Sequence, residues 1–275
     1  MSRLEATFAA LRARGQKALV AYLCVGDPDV ATSIELACVA AAAGADVLEL
    51  GVPFSDPTAD GPAIARASER ALAHGASLAR TIEAARAVRA RSDVPIVLFG
   101  YYNPILVRGE ARVVAEAQAA GIDALLVVDL PPEEGAELRA AARAAGIDVV
   151  ALLTPTSGPE RVRRAASSAS GFVYYVSVAG VTGAADTGAL ALAAEQAAAV
   201  RAATGLPVVV GFGIDGPAKA RVAAGLESAG EGADGVVVGT ALVRAIEDAP
   251  DDDARRAAVG TRIAALRAAL DAPHS

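Results

Sequence analysis

Eight short apolar runs rich in β-branched residues recur along the chain, and each is followed by a segment with apolar residues at helical spacing. The runs are ALVAYLC near residue 20, DVLELGV near 48, PIVLFGY near 97, ALLVVDL near 127, DVVALLT near 150, FVYYVSV near 175, PVVVGFG near 209 and GVVVG near 237. Strands that are apolar at nearly every position fit a parallel sheet covered on both faces, and parallel neighbours need a crossover between them. Segments such as VATSIELACVAAA, RVVAEAQAAG, EEGAELRAAARAAG and ALAAEQAAAVRAATG supply those crossovers. Helices end in Ala-Gly just before the next strand (AGAD, AGID, AGID again), where glycine suits the left-handed position beyond a helix C-terminus. They begin after Asp, Ser or Thr, as in GDPDVAT, TPTSGPE and DTGALAL, whose side-chain oxygens can cap free amides.

Successive runs lie about 25 to 35 residues apart except between the second and third, and eight βα units of that size predict a (β/α)8 TIM barrel. No linker or low-complexity tract interrupts the series, so residues 1–275 read as one domain. The segment MSRLEATFAALRARG predicts an extra N-terminal helix, and the long interval after the second run predicts an extended catalytic-face loop. A doubly wound open sheet is the alternative, but it expects fewer strands and usually a glycine fingerprint after the first, where this chain has VGDPD.

A net charge of −7, with arginines scattered among acids, argues against a nucleic-acid partner, which needs a concentrated basic surface. Cys24 and Cys38 stand in apolar segments and read as free thiols in a reducing compartment. The N-terminal segment mixes charges of both signs and does not resemble a signal peptide. The longest uncharged apolar run, LACVAAAAGA, is far short of a membrane span. A cytoplasmic location is the expectation.

The candidate chemistry gathers in ELGVPFSDPTADGP, residues 49–62. Strand alternation puts Val47, Glu49 and Gly51 on one face; if Val47 points into the barrel, so does Glu49. A carboxyl buried there, with no cationic neighbour in sequence, should hold its proton to higher pH and suit proton transfer in both directions. Asp60, before Gly61-Pro62, reads equally as a second functional carboxylate or as a helix N-cap. Asp56 before Pro57 suggests an Asx turn. Lysine occurs only as Lys17 and Lys219, both expected away from the catalytic end, which disfavours a Schiff base. Histidine occurs only as His74 and His274, so no zinc ligand set is expected. A carbon–carbon bond broken here must find its electron sink in the substrate. The seventh and eighth runs lead into GFGIDGP and GTALVRAI, where Gly213, Gly239 and Thr240 offer amides and a hydroxyl for a phosphate at a helix N-terminus.

With those residues in place, the segments VGDPD, ELGVPFSDPTADGP, GYYNPI, VVDLPPEE, YYVSVAGVTG and VGFGI resemble, in order and along essentially the whole chain, the tryptophan synthase alpha subunit family. The resemblance implies cleavage of indole-3-glycerol phosphate to indole and glyceraldehyde 3-phosphate, with the indole ring as electron sink once C3 is protonated. It implies that Glu49 is the general acid/base and that Asp60 holds the indole N–H. Tyr174 and Thr182 match substrate-contacting positions, and Tyr22, Phe99, Tyr101 and Leu126 match walls of the indole pocket. Gly183, Gly213, Gly239 and Thr240 match phosphate ligands. No cofactor is expected in this chain, since pyridoxal phosphate belongs to the partner beta subunit of an alpha2-beta2 heterotetramer. The loops PFSDPTADG and GVTGAADTG, with VVDLPPEE, would face that partner.

Thr58, Val178 and a long interval around ESAGEG, residues 227–232, depart from the family pattern. Two other readings stay open: another phosphate-binding barrel enzyme such as a sugar-phosphate isomerase or epimerase, and a catalytically silent regulatory subunit. The first does not need the long motif after the second strand. The second has no reason to keep both Glu49 and Asp60.

Overall fold

The computed structural model describes all residues except 132, 177–186, 212, 228–231 and 274–275. Its strands are β1 (Ala18–Cys24), β2 (Val47–Gly51), β3 (Ile96–Gly100), β4 (Ala124–Val127), β5 (Asp148–Val149), β6 (Ala151–Leu153), β7 (Val173–Val176), β8 (Val208–Gly211) and β9 (Gly235–Val238). The pairing is parallel throughout, in the order β5-β4-β3-β2-β1-β9-β8-β7-β6. β5 and β6 are the two halves of the expected fifth strand, on either side of Val150. The first half pairs with β4 and the second with β7, so this one stave joins the ends of the series. Chain continuity through Val150, whose amide still donates to Leu125 O at 2.9 Å, closes the barrel expected from sequence.

Strand alternation divides the core in two. Val20, Tyr22, Val47, Val97, Leu126, Tyr174, Val209 and Val237 fill the inside. Their chain neighbours, among them Leu19, Ala21, Leu48, Leu98, Leu125, Tyr175, Val210 and Val236, face the helices. This is why the runs are apolar at every position. The expected N-terminal helix, α1 (Arg3–Ala13), starts with a capping box between Ser2 and Glu5. It sends Leu4, Phe8 and Leu11 into the inner cluster, and Phe8 meets Phe172 at 5.6 Å between ring centroids.

Between β1 and β3 the chain forms α2 (Val30–Ala42), α3 (Pro62–Ala73) and α4 (Leu78–Arg89). Two helices, not a loop alone, therefore fill the long interval. α2 is capped by Asp29, which accepts from Thr32 N at 2.8 Å, as the sequence suggests. Then come α5 (Tyr102–Arg108), α6 (Glu110–Ala120), α7 (Ala136–Ala144), α8 (Pro159–Ser168), α9 (Thr187–Thr204), α10 (Pro217–Ala223), α11 (Thr240–Asp248) and α12 (Asp252–Asp271). The side-chain cap expected at TPTSGPE is absent: Gly158 is the N-cap of α8, and Ser157 instead donates to and accepts from Thr154 within its own turn. The residues before α9 lie outside the described set, so its cap is not assigned. Gly44, Gly121 and Gly146, in the three Ala-Gly helix ends, all have positive φ. Among the described residues no helix is long and apolar enough to cross a membrane.

Candidate active site

Glu49 sits at the centre of β2, level with Tyr22 on β1 and Val97 on β3, and points into the barrel as alternation predicts. It is 1% exposed, and neither carboxyl oxygen has a hydrogen-bond partner among the described residues. Burial without a compensating charge pushes its pKa up to about 8. The group is therefore neutral at pH 7, which is how a lone carboxyl tolerates this position.

Asp60 closes the loop after β2. It does not cap α3, whose N-cap is Gly61 with no side-chain bond, so the capping explanation of this residue is withdrawn. Burial raises its pKa to about 6, partly offset by the Tyr101 hydroxyl beside it. Tyr101 also accepts from Ala59 N at 3.0 Å and stacks on Phe54 at 5.0 Å, so the aromatic pair anchors the loop that carries Asp60. Asp56 accepts from its neighbour Ser55 Oγ at 2.5 Å.

Glu49 and Asp60 line one cavity with Tyr22, Phe99, Tyr174, Gly213, Gly239 and Thr240. Ile64, Ile214 and Val237 complete the lining and were not singled out in the sequence. Apolar residues beside functional ones carry no signal of their own, although Val237 could have been found from inward alternation on the last strand. Leu126 lies in the inner cluster and Tyr101 behind Asp60; neither is in this lining. Thr182, Gly183 and Val178 lie outside the described residues, as does most of ESAGEG. Thr58 is exposed.

The aromatic wall is built by fit between strands. Tyr22 meets Phe99 edge-on at 5.2 Å. The Tyr22 ring covers Gly51 and the Tyr174 ring covers Gly211 so closely that a Cβ on either glycine would overlap a phenol. Burial holds both phenols neutral, far above the usual tyrosine range.

On the same cavity, α11 begins after the N-cap Gly239 with no side-chain cap, the kind of helix start whose amides suit an anion. Gly213, which lines the cavity, adopts φ +76°, a conformation that glycine takes without strain.

Lys17 lies at the opposite end of β1 and donates to Ala233 O at 2.8 Å. Lys219 corrects an expectation: it occupies the first turn of α10, at the catalytic end, where it pairs with Asp215 at 2.8 Å and does not line the cavity. Cys24 is a buried thiol with its pKa pushed up to about 12 by burial, and it is inert in that state. Cys38 is free and half-buried.

Size alone would point elsewhere. The cavity holding Glu49 measures about 40 Å³, whereas one of about 390 Å³ at the other end of the barrel is lined by Met1, Glu5, Arg139, Arg143, Asp148 and Ser170. The larger one has a buried carboxyl of its own in Asp148 but no aromatic wall and no second inward carboxyl like the Glu49 and Asp60 pair, and chemistry outweighs volume in assigning a site.

A family model described as "Tryptophan synthase alpha chain" matches residues 8–269. A tryptophan synthase alpha chain from Geobacter sulfurreducens is 52% identical over 271 residues, covering 98% of this chain and 99% of that relative. Among solved structures, tryptophan synthase subunit alpha from Legionella pneumophila str. Paris superimposes with a TM-score of 0.88 at 36% identity, covering 98% of this chain and 99% of that one. A chain of Mycobacterium tuberculosis tryptophan synthase gives 0.87 at 36% identity with the same coverage.

Proposed function

The chain belongs to the tryptophan synthase alpha chain family, lyases that cleave indole-3-glycerol phosphate in tryptophan biosynthesis, and we propose that Glu49 and Asp60 divide the proton chemistry of that cleavage between them. The observation that carries the proposal is a carboxyl buried without a hydrogen-bond partner among the described residues, in the same cavity as a second, more acidic carboxyl and an uncapped helix start.

Glu49, neutral at pH 7, delivers its proton to indole C3. The ring becomes a cationic indolenine, and Asp60, ionised above about pH 6, accepts the indole N–H and steadies that charge. The bond from C3 to the glycerol carbon then breaks with its electron pair returning to the ring. The hydroxyl on that carbon becomes the aldehyde as its proton passes to the Glu49 carboxylate. Glu49 ends as it began, the products are indole and glyceraldehyde 3-phosphate, and no outside electron acceptor is needed. Tyr22, Phe99 and Tyr174 wall the indole, with Tyr101 holding Asp60 and Leu126 backing the pocket from the inner core. Gly213, Gly239 and Thr240, with Gly183, hold the phosphate. Thr182 matches a substrate-contacting position of the family.

As an alpha chain the protein works with a beta subunit. We read the assembly as an alpha2-beta2 heterotetramer in the cytoplasm, with pyridoxal phosphate in the beta subunit and none needed here. The loops that follow β2 and β7 then face the partner.

The test is the pH dependence of kcat/KM for indole release, which reports the free enzyme. Activity should rise as Asp60 ionises near pH 6 and fall as Glu49 loses its proton near pH 8. A profile flat from pH 5 to 9 contradicts the division of roles.

A further inference from the structure

The two polar ends of the cavity are supplied by two adjacent helices: Asp60 stands two residues before α3, and the phosphate-binding amides open α11. The helices are in contact, and Ala63, Ala67 and Ala71 of α3 share a buried cluster with Val243 of α11. Alanines allow close approach but offer no knobs that resist sliding along the helix axis. Register has to come from something else.

That something is a fork of ion pairs on the same two helices. The Arg70 guanidinium donates to both carboxylate oxygens of Asp27, at 2.8 and 2.9 Å, and through its remaining nitrogen to Glu247 Oε1 at 2.8 Å. Arg66, one turn earlier on α3, grips the same Glu247 at 2.9 and 2.8 Å. Asp27 is 3% exposed in the turn after β1, so Arg70 ties α3 and α11 to each other and both to the barrel wall. Arg70 lies eight residues beyond the start of α3 and Glu247 seven beyond the start of α11, about 10 to 12 Å along each helix. The fork cannot touch a ligand at the helix starts; it acts only through where those starts are held.

We propose that Arg70, which shares Glu247 with Arg66 but alone reaches Asp27, is a positioning residue for the cleavage, fixing the paired α3 and α11 against the turn after β1 and with them the distance between Asp60 and the phosphate site. The inference rests on the reading of the cavity given above. A planar fork is what this requires, since a lysine ammonium could satisfy Asp27 or Glu247 but could not clamp both in one geometry.

The test compares two ligands on the purified chain: glycerol 3-phosphate, which occupies the phosphate end alone, and indole-3-propanol phosphate, a non-cleavable molecule that spans both ends. Arg70→Met and Arg70→Lys should each weaken the spanning ligand about tenfold or more and lower kcat similarly, the scale expected when a site is misplaced by a fraction of an ångström to one ångström. Glycerol 3-phosphate should bind both variants within about twofold of wild type, because phosphate contacts within α11 are unchanged. Arg91→Met, which breaks an exposed pair with Glu35 elsewhere on the helical shell, should leave both affinities and kcat unchanged.

Removing Arg70 strands the buried Asp27 and could prevent folding; in that case Glu247→Ala decides, since it cuts the tie to α11 while leaving Arg70 on Asp27. A selective loss for the spanning ligand in Glu247→Ala, of about threefold or more, supports the proposal. Equal loss for both ligands marks a merely structural role and overturns it, as does no loss for either. Failure of the wild type to bind either ligand would instead refute the reading of the cavity.

Discussion

Glu49 carries an energetic cost that its function explains. A carboxyl with pKa 4.5 when solvated and about 8 when folded binds a proton in the native state that the unfolded chain has already released. Between those values the folded state holds more protons, so stability falls as pH rises from about 4.5 to 8, and no penalty of this kind exists below 4.5. Glu49→Gln removes the titration. The variant should match wild type near pH 4 and exceed it at pH 8 by on the order of a few kcal/mol, read as the difference in urea midpoint at the two pH values. Equal pH dependence for the two proteins would mean that Glu49 is not held neutral by burial. The position of this group was legible from alternation in DVLELG alone, because a period of two leaves no choice of face once Val47 is inside. Asp60 was not legible in the same way. The string DGP fits a helix cap, and only the backbone, with Gly61 taking the cap, frees its carboxylate for the cavity and the Tyr101 hydroxyl.

Among the elements, the β8 loop and the start of α11 divide the proposed phosphate site between a backbone bend and a helix terminus. Gly213 has φ +76°, where a β-branched residue is strained whatever space surrounds it. Gly213→Val should raise KM for indole-3-glycerol phosphate by about tenfold or more while kcat falls less, as expected for lost uniform binding. Steady-state kinetics showing the reverse, a large fall in kcat at constant KM, would remove the loop from phosphate binding. The glycine signals were readable in sequence, whereas the pairing of strand five was not. Nothing in DVVALLT marks Val150 as the point where one strand leaves β4 for β7, since that division arises from closing the ring. A related pattern was also missed. Asp46, Asp123 and Asp234, which follow or resemble the Ala-Gly helix ends, accept at 2.8 Å from Leu19, Ile96 and Val208 amides and pair with Arg267, Arg89 and Arg201. The sequence shows AGAD and AGID plainly, but an aspartate at a strand start bonds its neighbouring strand only once that neighbour is known.

Over the whole molecule, the repeat of eight βα units fixes the barrel because each strand is apolar on both faces and each helix supplies one cover. Its N-terminal end is closed separately. α1 inserts Phe8, 4% exposed, against Phe172 inside the barrel, remote from the cavity at the other end. Phe8→Ala should cost about 3 to 5 kcal/mol in equilibrium unfolding with KM unchanged at temperatures where the variant is folded. A change in KM without loss of stability would mean that α1 communicates with the site and is more than a plug. What the repeat does not reveal is which end of the barrel carries a given helix-borne residue. Lys219, expected away from the site, lies in the first turn of α10 on the catalytic end because the loop after β8 is short. In the proposed chemistry one buried, neutral carboxyl, Glu49, gives and retakes the proton of carbon–carbon cleavage. Its most direct test is steady-state indole release from indole-3-glycerol phosphate by wild type and Glu49→Gln at pH 7, with substrate affinity measured alongside. The variant's kcat should be lower by about a hundredfold or more at near-normal affinity, the scale of a lost acid/base; turnover close to wild type in the glutamine variant would contradict the role given to Glu49.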